Sequence, residues 1–201
     1  GLLRPFRLEG GLELAVDPAL LATASAAGAH ARAWAHELTA ALARRDVFAL
    51  PWGDTDLAAV AHAGRPDLLS AAVAASASSD LAGLAARTDV LWAPAGVLDQ
   101  ATMNAVAAAG ARAIVAGAGT LQPAGGDAST ALVDLSTAQG TLPTLVPDAL
   151  LTDLLVSPDD VEPGATTVTT VQRLLAELAV LAHDGSDQPH DVLLAPGRDW
   201  T

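Results

Sequence analysis

Tryptophan and aspartate recur together at a few points of this chain, and that combination has a specific chemistry. Asp17 stands before a proline, Trp52, Asp54 and Asp56 share the run PWGDTD, Trp92 lies in DVLWAP, and Arg198, Asp199 and Trp200 fall in PGRDW. An indole offers a flat apolar face that stacks on a sugar ring, and two carboxylates can serve as acid and base on a glycosidic bond. Trp52, Asp54, Asp56, Trp92, Arg198, Asp199 and Trp200 are therefore the candidate binding residues, and Asp17, Asp54 and Asp56 the candidate catalytic carboxylates. Asp99 is a fourth carboxylate from which a pair could be drawn. A plainer reading stands beside this one: an aspartate before a helix caps it, and a tryptophan at a strand end fills space. Hydrolysis would further require two carboxylates about 5–10 Å apart across one cleft.

Other chemistries find little support. The histidines at 30, 36, 62, 183 and 190 include no two that are four apart, so the helix-borne zinc pair of polysaccharide deacetylases is missing, as is HExxH. Asp54 and Asp56 make an isolated DxD, a weak signal for a hard cation. Gly117 and Gly119 open a GxG whose third glycine would fall at position 122, which is Gln. No GxSxG elbow occurs. With no Cys there is no thiol nucleophile, disulfide or zinc ribbon, and with no Lys there is no Schiff base or P-loop lysine. No metal or cofactor is expected. Trp34 lies mid-helix and reads as core; His62 reads as a surface residue.

The elements that must position these residues alternate. Short apolar strands are expected at 12–17, 47–51, 89–92 and 112–116, a further one at 144–146 and a last at 190–195. Helices are expected from 19 to about 45 with a break near Gly28, over 56–63 stopped by Gly64, from Pro66 to about 87 with an interruption at the serines of 76–79, and from Asp99 to Gly110. Asp148 should cap a helix to about 155, and 166–182 carries Val168, Val171, Leu174, Leu175, Leu178 and Leu181 at helical spacing. Residues 117–140 read as a loop with a short strand near 131–135, and 157–164 as another loop. Such alternation implies an α/β fold with a mostly parallel sheet, either doubly wound or barrel-like, in one domain over 1–201. In such folds sites gather at the C-terminal strand ends, where the Trp and Asp residues above fall.

Composition narrows the field further. The 201 residues carry 10 cations, all Arg, against 23 Asp and Glu, a net charge of −13 that disfavours nucleic acid and anionic lipid as partners. Hydrophobic residues are 51% of the chain, but Ala, at 47 residues, supplies nearly half of them, so helices must pack closely. The use of Arg without Lys and the excess of Ala suggest a GC-rich, actinobacterial coding bias. The longest apolar stretch, 68–79, is far short of the roughly 20 residues of a membrane span, so this segment is not expected to insert into a membrane. The start, GLLRPFRLEGG, has no initiator Met and no signal-peptide core, which suggests an excised portion of a longer chain.

Five segments carry a resemblance: AVDPALL from position 15, ALPWGDTDLAAVAHAG from 49, WAPAGVLDQATMNAVAAAG from 92, VQRLLAELAVLA from 171 and LLAPGRDW from 193. In matching order across nearly the whole chain, they resemble the middle region of an actinobacterial family of unknown function encoded beside the lipid II flippase of peptidoglycan synthesis. The resemblance implies secreted, membrane-anchored proteins whose anchor lies outside this segment. It implies a partial or irregular (β/α) barrel similar to those of polysaccharide deacetylases and glycoside hydrolases. It implies no established reaction. The expectation is a non-catalytic, degenerate hydrolase-like extracytoplasmic domain. It would bind a cell-wall glycan or a membrane protein of peptidoglycan synthesis. The alternative is a carbohydrate-active hydrolase using the rim aspartates.

Overall fold

The computed structural model describes residues 13–93, 98–121, 131–183 and 191–197. The chain forms two compact units: one comprises Gly1–Leu91 and Gln100–Arg112, the other Trp92–Asp99 and Ala113–Thr201.

In the first unit, β1 (Leu14–Val16) and β2 (Val47–Ala49) pair in parallel, Leu14 opposite Val47 and Val16 opposite Ala49. The ladder extends at both ends, with Leu14 N–H on Asp46 O (3.1 Å) and Leu50 N–H on Val16 O (2.9 Å). On the other side of β2, Arg87 bridges Phe48 in parallel, before β3 (Val90–Trp92) begins. The expected helix from 19 to 45 is two helices, α1 (Pro18–Ala26) and α2 (Ala29–Leu42), and Gly28 stands at the break as the N-cap of α2. Ala35, Leu38 and Leu42 of α2, at helical spacing, bury their side chains against Val16, Leu21, Val47, Ala49 and Leu81. Trp34 packs on this core, as its mid-helix place suggests.

Next come α3 (Leu57–His62), α4 (Pro66–Ala77) and α5 (Gln100–Ala108). The helix expected to reach 87 stops at Ala77; a 3-10 turn over Asp80–Leu84 and a left-handed Ala85 (φ +55°) follow. The serines explain the stop. Ser78 and Ser79 hydroxyls donate to Ala74 O (3.0 Å) and Ser76 O (2.7 Å), competing with amides for the last carbonyls of the helix.

The second unit contains β4 (Ala113–Val115), β5 (Leu132–Thr137), β6 (Gly140–Leu145), α6 (Ala149–Val156), α7 (Pro158–Val161) and α8 (Thr167–Ala182). Within it β6 runs parallel to β4 and antiparallel to β5. Three sequence expectations change here. First, the short strand expected near 131–135 and the one expected at 144–146 are longer and form the two arms of a hairpin, turning at residues 138–139 with Gly140 at φ +121°. Pro143 inside β6 and a turn lacking Asn-Gly disguise it. Second, 157–164 contains α7, begun by Pro158 and by Asp159 and Asp160 near the positive end of the helix dipole. Third, residues 191–195 form no strand; Leu193 O accepts one bond, from Asp148 N–H (2.9 Å), and His190 lies outside the described residues.

Both remaining helix starts follow the sequence. Asp148 Oδ1 accepts from Leu151 N–H (2.8 Å), and Thr166 and Thr169 cap α8 reciprocally. The protein is thus mixed α/β, with two small, partly parallel sheets and no closed barrel among the described residues. Among those residues no helix is long and apolar enough to cross a membrane.

Candidate functional site

The C-terminal ends of β1 and β2 lie side by side, and both deliver a chemically distinctive segment there. After β1 comes Asp17-Pro18. The carboxylate leaves the strand and caps α1, with Oδ1 accepting from Ala19 N–H at 2.9 Å. The same oxygen accepts from Gly53 N–H at 3.0 Å, 36 residues away. Asp17 therefore ties the start of α1 to the turn that follows β2.

That turn spans residues 51–54. Asp54 N–H closes it on Pro51 O (2.9 Å), and Gly53 at its third position has φ +70°, a region an L side chain would strain. Asp54 follows at φ +48°, one of two non-glycine residues with positive φ among the described residues. Aspartate is among the few side chains that tolerate it.

Three more bonds hold the turn. Ser76 of α4, 1% exposed, donates from Oγ to Leu50 O (2.8 Å). Trp52 N–H donates to Ala72 O (3.2 Å), one helical turn before Ser76. Thr55 Oγ1 donates to Trp52 O (2.8 Å). The result is a backbone fixed on several sides at a tryptophan that keeps 39% of its surface exposed. Leu20 in the first turn of α1 and Leu68 in the first turn of α4 are also exposed, at 52% and 46%.

The carboxylates at this rim differ in their work. Asp56 caps α3, with Oδ1 accepting from both Ala58 and Ala59 N–H at 3.0 Å. Asp17 and Asp56 are thus both engaged with backbone amides, the plainer of the two roles the sequence allows. Asp54 is half-buried and makes interactions of its own. At the start of α4, Arg65 grips Asp67 through two bonds, Nε to Oδ1 (2.9 Å) and Nη2 to Oδ2 (2.7 Å). The guanidinium's hydrogen bonds hold the Asp67 carboxyl below the usual carboxylate range.

The other candidates belong to the second unit or fall outside the described residues. Trp92 ends β3 and belongs to the second unit, as does Asp99, which immediately precedes α5. Arg198, Asp199 and Trp200 lie outside the described residues. His62 is the exposed last residue of α3. Among the described residues no group of three or more His, Asp or Glu could hold a metal ion. Sequence reasoning missed Ser76, Leu20 and Leu68. Ser76 carried a signal: it lies seven residues after the fully buried Leu69, on the inward face of α4.

A family model described as "Family of unknown function (DUF6049)" matches residues 8–201. No curated protein and no solved structure matches the chain.

Proposed function

The chain belongs to this family of unknown function, and we propose that it is a non-catalytic binding domain whose rim around Trp52 engages a neutral glycan of the cell envelope. The observation that carries the reading is the exposed Trp52 indole on a turn clamped by Asp17 and Ser76. A rigid aromatic face stacks on a sugar at little cost in conformational entropy. The chain's net charge of −13 suits a neutral sugar better than an anionic polymer. Hydrolysis draws less support, because Asp17 and Asp56 each cap a helix.

The segments that resemble the flippase-linked actinobacterial family extend the proposal. They support an extracytoplasmic setting in peptidoglycan assembly, an anchor carried elsewhere in the parent protein, and an ancestry among the barrels of polysaccharide hydrolases. A membrane protein of peptidoglycan synthesis is the second partner compatible with that setting.

The test is calorimetry of the chain with chito-oligosaccharides and muropeptides. Trp52→Ala should weaken binding about tenfold or more, with an unchanged circular dichroism spectrum. Equal binding by parent and variant would remove Trp52 from the site. Absence of binding by the parent would overturn the glycan reading, and a cleaved or deacetylated product would overturn the non-catalytic one.

A further inference from the structure

Helix α6 has 8 residues, yet three of its large apolar side chains face solvent: Leu150, Leu155 and Val156 keep 38%, 48% and 39% of their surface exposed. Leu150, Asp153 and Val156 recur at a spacing of three, so an exposed carboxylate interrupts an apolar row. Asp159, Asp160 and Glu162, in and just after α7, are exposed as well, and α7 packs on α6. Residues 153–162 thus hold four exposed carboxylates and no cation. None of the four pairs with a cation among the described residues, where the unit's one arginine, Arg173, is bound to Glu177 at 2.6 Å.

Helix stability does not account for all of this charge. Asp159 and Asp160 suit the start of α7, but Asp153 lies in the last turn of α6 and Glu162 is the C-cap of α7. The negative end of a helix dipole opposes a carboxylate there, and neither last turn carries a basic residue to offset it.

We propose that this α6–α7 surface docks a basic amphipathic helix of another protein. The apolar stripe of that helix covers Leu150, Leu155 and Val156, and its Lys or Arg side chains meet the four carboxylates. A cation brought to the end of α6 also complements the dipole that opposes Asp153. The same charge counts against two simpler occupants. A second copy would meet this surface with its own, setting four carboxylates against four. An anionic lipid surface would be repelled. Helix α6 spans only about 12 Å, well short of a standard interface, so the complex is weak, fast and salt-sensitive.

The test is fluorescence anisotropy of a labelled peptide of roughly 18 Leu and Lys residues, patterned as an amphipathic helix, titrated with the 201-residue chain. Binding should have a Kd of about 10–100 µM at low salt and weaken about tenfold or more by about 0.5 M salt. Asp153→Asn with Asp160→Asn should weaken it about tenfold, and Leu155→Ser by a similar factor. Glu37→Gln with Asp46→Asn removes the same charge from exposed positions of the first unit and should leave Kd within about twofold. Asp153→Asn alone should weaken binding yet raise the melting temperature by about 1 °C, because it removes a charge the dipole opposes. A lowered melting temperature would make Asp153 a residue of the fold and overturn the inference. Absence of binding, equal weakening by the two double variants, or binding indifferent to Leu155→Ser overturns it too. Binding of phosphatidylglycerol vesicles, or self-association lost in Leu155→Ser, would give the surface to a different occupant and likewise overturn it.

Discussion

Removing one hydroxyl from α4 should loosen the Trp52 turn, and its cost can be worked from the structure. Ser76 Oγ donates to Leu50 O at 2.8 Å, and the hydroxyl also lies 3.0 Å from Ala72 O. Ser76 and Leu50 are 1% and 6% exposed, so water cannot readily replace the lost donor in Ser76→Ala. A buried acceptor left unsatisfied costs about 1–3 kcal/mol. Against this, alanine is the better helix former by about 0.5 kcal/mol. The net expectation is a loss of about 0.5–2.5 kcal/mol in urea unfolding. Ser78→Ala is the matched control. It is the same chemical change two residues along, but its hydroxyl donates to Ala74 O at an exposed position. That variant should stay within about 0.5 kcal/mol of the parent. In a background with Trp34, Trp92 and Trp200 replaced by Phe, acrylamide quenching should show Trp52 more accessible in Ser76→Ala than in Ser78→Ala. If the two variants prove equally stable, the clamp on Leu50 is not what fixes the turn.

Two further outcomes are expected. Asp17→Ala removes the acceptor of both Ala19 and Gly53 N–H and should cost about 1–2 kcal/mol, while Asp17→Asn keeps an oxygen there and should cost about half as much; equal losses in urea titrations would refute the hydrogen-bond account. Arg65 holds the Asp67 carboxyl low chiefly by hydrogen bonding, so any stabilisation from that pair is present above the ordinary carboxylate range and lost as pH falls through the lowered folded value. Arg65→Gln should therefore raise the Asp67 midpoint in a carboxyl-carbon NMR titration, and an unmoved midpoint would count against the pairing.

How much of this was legible in the sequence depended on the distance between the residues involved. The caps Asp17, Asp56 and Asp148 depend on the three residues after them, and each can be read directly from its run. The break at Gly28 and the stop at Gly64 are equally local. The rim as a place was legible too, since parallel β1 and β2 deliver Asp17 and the PWGD turn to one edge. Its fastening was not. The bonds from Gly53 to Asp17 and from Ser76 to Leu50 join residues 36 and 26 positions apart, and no local pattern encodes such a pairing. The hairpin of β5 and β6 escaped for a different reason. Its proline and its plain turn removed the two local cues by which hairpins are recognised. In α8 the periodicity was legible and its burial was not, because an amphipathic pattern states that a face is apolar without stating what covers it.

The first unit is assembled from two separate stretches of chain, and this has a bearing on synthesis. Helix α5 packs on both α3 and α4, yet it follows Trp92–Asp99, which belong to the other unit. On a ribosome, α3 and α4 emerge well before the helix that covers them. The unit cannot be completed until residue 112 has left the exit tunnel, by which time the first residues of its neighbour are already out. The two units are therefore interleaved in time as well as in sequence, and no single cleavage of the chain would yield both of them whole.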